Sequence, residues 1–358
     1  MSCERVAPMA LNRATEHCRE GREMSGLETE DLVAGLIDPK TTDEVKVAFL
    51  TAWAEKGETA GELAGMARAF LAKAKATGVT GRWGGKGLGD CCGTGGGGRP
   101  IVNLSTAAGM VAAAAGLPVA KHGNRGMTRP SGSADALTAL GVRGVKDAGE
   151  LAGCLGEVGC AFLCAPDFHP AFAGVAAARK ILSAQGKRSA FHLLGPLVNP
   201  ARPEVRIVGV FREEDMGRLA GAMDLLGVES YAILHGEDEK GAPLGELSPL
   251  GRNRVMGKKS GKKFDFTEEN VSGEWGMSGD LEATKADESA AKITAVLAGD
   301  GAKAVRGALI WNAGMMLWLA GMVENWEKGR GLAEQTIRSG SARALLERWR
   351  TWSRGKGS

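Results

Sequence analysis

Glycines, hydroxyls and cations are grouped in this chain the way an anion site requires. The run Gly93-Thr94-Gly95-Gly96-Gly97-Gly98 is followed closely by Asn103-Leu104-Ser105-Thr106, which opens an alanine-rich segment. Glycine admits dihedrals that turn successive N–H groups toward one point. A helix N-terminus adds unpaired donors and the positive end of its dipole. Further on, Lys121-His122-Gly123-Asn124-Arg125 places fixed cations beside an amide. A glycine-rich turn alone reads equally as a flexible surface loop. The ordered Asn-x-Ser-Thr start and the basic strand end behind it favour a cradle for a phosphorylated ligand.

Periodicity predicts the elements that hold these groups. Residues 1–77 read as helical: Thr42-Asp43-Glu44 is a capped start with acids in its first turn, Val45, Phe49 and Trp53 follow at four-residue spacing, and Gly57 ends the helix. Thr59-Ala60-Gly61-Glu62 forms a capping box for the next helix, with Leu63, Met66, Phe70 and Leu71 on one face. Residues 78–89 carry six glycines and read as a hinge at a domain boundary. Beyond them, strands and helices alternate as in an α/β domain. The expected strands are 117–121, 160–165, 205–211 and 231–235, and the expected helices 105–115, 133–140, 169–182 and 213–226. Residues 258–263 are expected to turn a hairpin, their four lysines suiting a solvated turn better than a phosphate patch. From about Ser289 the chain reads as helical, with Trp311, Met315 and Leu319 as a core stripe.

Bulk properties exclude several classes. A chain of 358 residues allows two or three domains around a large core. A net charge of +3 with 24% charged residues gives no bias toward polyanions, so nucleic acid is disfavoured as a partner. The basic end (Arg348, Arg350, Arg354, Lys356) reads as a solvated helix face and tail. No apolar run reaches membrane-spanning length and no basic-then-apolar signal pattern begins the chain, so a cytoplasmic protein without a membrane partner is expected. Seven cysteines, an odd number, suit a reducing compartment. Neither Cys91-Cys92 nor the pair Cys160 and Cys164 has zinc-site spacing, and all are expected to be buried small hydrophobes.

The order of these motifs resembles that of the anthranilate phosphoribosyltransferases, part of the glycosyltransferase group that includes the pyrimidine nucleoside phosphorylases. The resemblance begins at Asp43-Glu44-Val45-Lys46 and Lys56-Gly57-Glu58-Thr59. It continues through Cys92-Gly93-Thr94-Gly95-Gly96, Asn103-Leu104-Ser105-Thr106, Lys121-His122-Gly123-Asn124-Arg125 and Ser131-Gly132-Ser133-Ala134-Asp135. Ala165-Pro166, His169-Pro170-Ala171, Leu194-Gly195-Pro196-Leu197-Val198-Asn199-Pro200, Glu246-Leu247-Ser248-Pro249 and Asn312-Ala313 complete it. The Lys-His-Gly-Asn-Arg and Leu-Gly-Pro-Leu motifs are the specific ones, and the nucleoside phosphorylases lack both.

The resemblance implies transfer of a phosphoribosyl group from phosphoribosyl pyrophosphate (PRPP) to anthranilate, releasing pyrophosphate, as in tryptophan biosynthesis, with Mg²⁺ on the phosphates. Departing pyrophosphate leaves positive charge on the anomeric carbon, so catalysis needs a phosphate clamp and a positioned amine more than a strong nucleophile. The implied fold is α/β: a small helical domain, 1–77 joined in space by about 168–200, plus a larger α/β domain, 90–358, with a mainly parallel central sheet. This is the fold of class III phosphoribosyltransferases and nucleoside phosphorylases. A homodimer is expected through the apolar helices of the first domain. By position in the motifs, Gly93, Thr94, Gly95 and Gly96 would line the pyrophosphate or ribose. Asn103, Ser105 and Thr106 would bind phosphate, Ser105 also reaching Mg²⁺, and Lys121 would place a charge there. Thr128 stands where the family has a phosphate-binding serine. Arg179 falls on the family's carboxylate-binding arginine, with Asn124 and Gly195 completing the anthranilate pocket; without the resemblance it reads as a helix-surface arginine. No catalytic residue is assigned outright. His122 is a candidate acid–base group or, equally, a neutral orienting histidine, His169 reads as a cap or packing residue, and His192 and His235 have no role.

The departures bear on the metal. Gly97 stands where the family usually has Asp, and Gly245-Glu246 where it has Asp-Glu, which leaves Glu246 as the metal carboxylate beside Ser105. Gly245→Asp is accordingly expected to strengthen metal binding or leave it unchanged. Asp238 or Glu239, before Glu246, could reach in as a substitute, but solvated loop charges are the better reading of both. Arg129-Pro130 replaces a usual Ser-Lys, and three residues are inserted between Arg179 and Arg188. Two further readings stay open at this point: a divergent non-catalytic relative binding nucleic acid or another phosphorylated ligand, which the lost carboxylates favour, and a phosphorylase-type pentosyltransferase.

Overall fold

In a computed structural model, residues 6–95, 99–126, 131–269 and 274–355 are described, and they fall into two units. The first is drawn from Met1–Lys75, Ala165–Pro200 and Gly217–Gly227; the second from Ala76–Cys164, Ala201–Met216 and Val228–Ser358. In chain order the elements begin with helices α1 (Val6–Arg19), α2 (Gly26–Ile37), α3 (Asp43–Lys56) and α4 (Ala60–Ala72). Strands β1 (Arg82–Trp83), β2 (Lys86–Gly87) and β3 (Gly89–Gly93) follow, then α5 (Leu104–Ala114), β4 (Val119–Gly123), α6 (Ser133–Ala139), α7 (Ala148–Glu157) and β5 (Cys160–Cys164). Next come α8 (Ala165–Phe168), α9 (Ala176–Ala184), α10 (Phe191–Leu194), β6 (Val205–Gly209), α11 (Asp215–Leu225), β7 (Ser230–Gly236), β8 (Arg252–Lys259) and β9 (Lys262–Glu269). Four helices close the chain: α12 (Ala286–Leu297), α13 (Lys303–Leu319), α14 (Trp326–Arg338) and α15 (Ser341–Gly355).

The first unit is helical because its sequence supplies both caps and a polar node. Ser25 and Thr59 each accept from the backbone N–H three residues on, while Glu28 and Glu62 bond back to them. Thr42 sits at the N-cap of α3 without a side-chain capping bond, so that helix starts on its acidic first turn alone. Glu62 is fully buried and accepts from Met24 N (3.0 Å), Trp53 Nε1 (2.9 Å), Thr59 N (2.9 Å) and Lys56 Nζ (3.0 Å). A buried carboxylate is tolerated only when paired and hydrogen-bonded, and here it fastens α3, α4 and the turn before α2 to one point. Phe49 and Trp53 are fully buried, whereas Val45 is half-buried.

The helix expected over 169–182 is broken. Pro170 takes the first helical position after His169 (φ −118°, ψ 73°), where no N–H is needed and the chain is separated from α8, but Pro170–Val175 coil as a 3₁₀ segment and α9 begins only at Ala176.

The second unit is built on a seven-stranded sheet of order β5-β4-β3-β6-β7-β8-β9. Its first five strands run parallel, and β8 and β9 add an antiparallel edge. The stretch 78–89 lies within this unit instead of linking it to the other, because the chain changes unit between Lys75 and Ala76. Its glycines make tight reversals: Gly84 (φ 54°) and Gly85 (φ 79°) turn β1 into β2. β6 and β7 are buried at every residue, and the nearly all-buried helices α5 and α13 pack on each other and against the sheet. The lysine turn joins β8 to β9 through Ser260 and Gly261, with Lys258 over the Tyr231 ring (5.6 Å) and Lys259 over Trp318 (5.0 Å). Cys18, Cys91, Cys154 and Cys160 are buried as expected; Cys92 and Cys164, at or near the ends of their strands, are only half-buried.

Candidate active site

Four of the parallel strands end in glycine: β3 at Gly93, β4 at Gly123, β6 at Gly209 and β7 at Gly236. Sequential connections lead from β3 to β4 on one side and from β6 to β7 on the other, so the direction of travel reverses between β3 and β6. In open α/β sheets a ligand crevice forms at such a reversal, outside the carboxyl ends of the strands. Gly93 and Gly209 are register partners there, and Thr94 N donates to Gly209 O (2.9 Å). Glycine is needed at the strand ends because another backbone lies on them. A Cβ on Gly209 would stand 1.8 Å from Gly245 O, and one on Gly236 2.0 Å from Glu246 O. The Gly245–Glu246 turn is thereby laid across β6 and β7, and a Cβ placed on Gly93 would lie 4.0 Å from Glu246 Oε1.

Two buried amides hold that turn from the other side. Asn312 of α13 accepts from Leu247 N (3.2 Å) and donates to Leu247 O and Ala308 O (both 2.8 Å). Asn253 of β8 accepts from Ser248 N (2.9 Å) and donates to Ser248 O (2.7 Å) and Gly251 O (2.9 Å). Both are fully buried, which makes their hydrogen bonds costly to leave unmade.

The cation lies where two strands part. β3 and β4 pair only at Gly89 and Val119. Past that point side chains replace the ladder: His122 N donates to Asp90 Oδ1 (3.2 Å), and Lys121 Nζ donates to Cys91 O and reaches Ser105 Oγ at 3.5 Å. Lys121 is 3% exposed, so its charge is desolvated and stationary. An ammonium has three donors, and these contacts leave one for an anion. Ser105 and Thr106 open α5; both are buried, and Thr106 Oγ1 has no hydrogen-bond partner among the described residues. Asn103 is the N-cap residue; its Oδ1 accepts from Ser289 Oγ (2.8 Å), which orients the side chain, and its NH₂ is the donor group that can serve an anion. Gly95 has φ 65° and open space where a Cβ would be.

The remaining expected residues are placed as follows. Asn124, in the second unit, is half-buried and receives Arg125 N on Oδ1 (2.8 Å). Arg179 and Gly195 are both in the first unit. Arg179 is half-buried, burial lowers its guanidinium from the ordinary arginine value, and among the described residues no carboxylate or carbonyl holds its N–H groups. Gly195 has open space at its Cβ position. His122 is buried, as is His169, whose Nε2 meets Val198 O at 2.7 Å; burial lowers the His169 pKa, which keeps it a neutral packing group. Gly96, Gly97 and Thr128 lie outside the described residues.

Two expectations about carboxylates are corrected. Asp238 is not a stand-in ligand: it pairs with Arg99 Nη1 (2.5 Å) and receives Lys240 N and Ala242 N (both 2.9 Å), while Glu239 receives Ser278 N (3.1 Å) and Oγ (2.8 Å). Gly245 is also more than a lost aspartate. Its φ is 70°, and a Cβ there would come within 2.6 Å of the Phe211 ring, so Gly245→Asp strains the turn that carries Glu246 instead of adding a ligand.

Sequence reasoning picked out Gly93 and Gly123 but missed Gly209 and Gly236 at the other strand ends, the clamping roles of Asn253 and Asn312, and the Asp90 carboxylate in the gap between strands. The recurrence of glycine at the ends of four of the five parallel strands was the available signal. The orphaned hydroxyl gives a test that separates stability from binding. Thr106→Val keeps shape and removes an unsatisfied buried group, which costs about 1–3 kcal/mol while unpaired. The variant should melt at the parent's temperature or higher in calorimetry yet bind PRPP more weakly.

The comparisons agree with this geometry. The family model described as "Glycosyl transferase family, a/b domain" matches residues 85–343, and "Glycosyl transferase family, helical bundle domain" matches 12–74. The chain is 34% identical to an anthranilate phosphoribosyltransferase of Aeropyrum pernix, covering 92% of this chain and 93% of that protein. It is 38% identical to an anthranilate phosphoribosyltransferase 2 of Streptomyces coelicolor, covering 93% and 97%. The crystal structure of the Thermus thermophilus enzyme superposes with a TM-score of 0.82 at 34% identity over 95% of this chain and 99% of that one. The Saccharomyces cerevisiae enzyme in complex with PRPP and Mg gives a TM-score of 0.79 at 25% identity over 96% and 98%. With both domain models matched and 34% identity over 92% of its length to a named member, the chain belongs to the anthranilate phosphoribosyltransferase family.

Proposed function

We propose that the protein transfers the phosphoribosyl group of PRPP to anthranilate, releasing pyrophosphate, the reaction its relatives are named for in tryptophan biosynthesis. The observation that carries this is the set of donors at the β3–β6 reversal: the buried Lys121 ammonium, the unpartnered Thr106 hydroxyl and the α5 N-terminus. In the reaction the bond from the anomeric carbon to pyrophosphate breaks, a bond to the anthranilate nitrogen forms, and that nitrogen loses a proton. Lys121 and the donors of α5 neutralise charge gathering on the leaving phosphates, and Arg179 holds the acceptor's carboxylate so that its amine is positioned. His122 is the candidate to take the proton; it is buried in β4, where Asp90 fixes its backbone.

Mg²⁺ fits the donor set. Glu246 offers one buried carboxylate and Ser105 a hydroxyl, hard oxygen ligands of the kind the ion takes with one or two carboxylates, phosphate oxygens and water. When bound, the ion supplies charge neutralisation on the pyrophosphate. A homodimer is supported by the exposed Met9, Ile181 and Leu225, all in the first unit, and a cytoplasmic location by six free cysteines among the described residues; no described helix is long and apolar enough to cross a membrane, in keeping with a protein that has no membrane partner. The missing carboxylates at 97 and 245 favour a non-catalytic phosphate binder as the second reading.

Fluorescence-monitored consumption of anthranilate with PRPP and Mg²⁺ decides between them: turnover supports the transferase, and none at any Mg²⁺ level leaves only the binder. Arg179→Ala should raise the anthranilate KM by about ten- to a hundredfold, a charge-assisted bidentate contact being worth roughly 1.5–3 kcal/mol, with the PRPP KM nearly unchanged. Equal losses for both substrates would mean a collapsed helix. Glu246→Gln should shift the Mg²⁺ activity titration to higher concentration; a titration overlying the parent's would remove Glu246 from the metal site. Light scattering at micromolar concentration should give twice the chain mass of 37.2 kDa, and a monomer there would end the dimer proposal.

A further inference from the structure

The guanidinium of Arg179 stands on an aromatic ring. Its Cζ lies 4.8 Å from the centroid of Phe191, a residue only 5% exposed. That ring is itself fixed. It meets Phe70 edge-on at 5.6 Å and 66°, and Phe172 at 5.9 Å and 87°. Phe172 in turn stacks on the His169 ring at 4.7 Å and 18°, and His169 is anchored to the Val198 carbonyl. Phe191 also begins α10, the helix that leads directly into Gly195, where open space adjoins the backbone.

We propose that Phe191 is a positioning residue for the acceptor's carboxylate: its ring is the platform that holds the Arg179 fork in the pose that receives it. The proposal rests on the acceptor reading above. A guanidinium donates hydrogen bonds in its own plane, so a ring set over its carbon takes none of the donors and leaves the fork for a planar carboxylate. The attraction is electrostatic, between the cation and the negative face of the ring, and strengthens as water is removed. Arg179 needs such support because no carboxylate or carbonyl among the described residues orients it. Without the ring, a long side chain with several rotatable bonds has to be ordered by the ligand itself, and affinity falls by that amount. The aromatic cluster behind Phe191 gives a role to His169 and Phe172, which make no contact with substrate in this account: they keep the platform from turning.

The experiment compares the parent, Phe191→Leu, Arg179→Ala and the double variant. The readouts are kcat, the KM values for both substrates, inhibition constants for benzoate and aniline, and the melting temperature. Phe191→Leu should raise the anthranilate KM and the benzoate inhibition constant by about three- to tenfold, the range of a partly desolvated cation–ring contact. It should leave the aniline constant and the PRPP KM within error. In the Arg179→Ala background, Phe191→Leu should add nothing to the benzoate constant, because the ring acts through the arginine. Equal weakening of benzoate and aniline, or the same loss with and without Arg179, would make Phe191 a packing residue and overturn the proposal. An anthranilate KM that responds to Arg179→Ala but not to Phe191→Leu would overturn the platform while sparing the acceptor reading. A parent that consumes no anthranilate would overturn both.

Discussion

The site depends on a backbone lying directly on a backbone. The Gly245–Glu246 turn rests on the ends of β6 and β7, with the 245 and 246 carbonyls where the Cβ atoms of Gly209 and Gly236 would otherwise be. Any side chain at either strand end would lift the turn and move Glu246 away from Gly93. The amides of Asn312 and Asn253 tie down the residues that follow the turn, each through three main-chain hydrogen bonds. The position of the one carboxylate proposed for the metal is therefore set by the core of the second unit rather than by a surface loop.

Around that turn the sheet gives up regular pairing to gain chemistry. β3 and β4 could have continued their ladder, but Lys121 and Asp90 fill the gap instead. Lys121 is thus both a strap between strands and a buried cation, and its cost of burial is offset by the Cys91 carbonyl and the Ser105 hydroxyl. Thr106 shows the same trade in miniature, since a buried hydroxyl with no partner is unfavourable until an anion supplies one. The neighbouring thiols follow from the same burial. Cys91 and Cys92 are pushed well above the ordinary thiol pKa chiefly by desolvation, so they remain protonated and inert beside the lysine.

Much of this was legible in the sequence, for identifiable reasons. The capping boxes at Ser25 and Thr59 are local signals, and a local signal survives folding; the Thr59 box was read as such. The buried strands at 160, 205 and 231 are short apolar runs bounded by glycine, which have few alternatives. What failed was non-local. The six glycines of 78–89 read as a hinge because composition cannot distinguish a linker from a tight ribbon held against a sheet. The helix over 169–182 kept its apolar periodicity, but that pattern does not distinguish the tighter 3₁₀ coil of Pro170–Val175 from the α-helix that follows it. Asn312 belonged to a motif of the resemblance but its role did not show, and Asn253 gave no sign, since a buried amide in an apolar helix or a strand looks like any other polar residue until its partners are known.

Gly245 shows where reading a departure as a loss goes wrong. From the sequence it is an absent aspartate, a site short of one ligand. In the fold it is a residue at φ 70°, with the Phe211 ring packed where its side chain would start. The ring and the glycine form a pair: restoring the carboxylate alone would meet the ring, and the turn beneath Glu246 would have to give. With Asp238 held by Arg99 and Glu239 by Ser278, neither of the two acids expected as a substitute is placed to compensate. On the proposed reading the consequence is electrostatic. A cradle of Lys121, the α5 N-terminus and a single glutamate is less negative than one with an added aspartate, so it attracts the phosphates more directly and the free metal less. Glu246, held in place by the core, would be the one carboxylate to meet an ion carried on the substrate's phosphates, and that ion would supply charge neutralisation there.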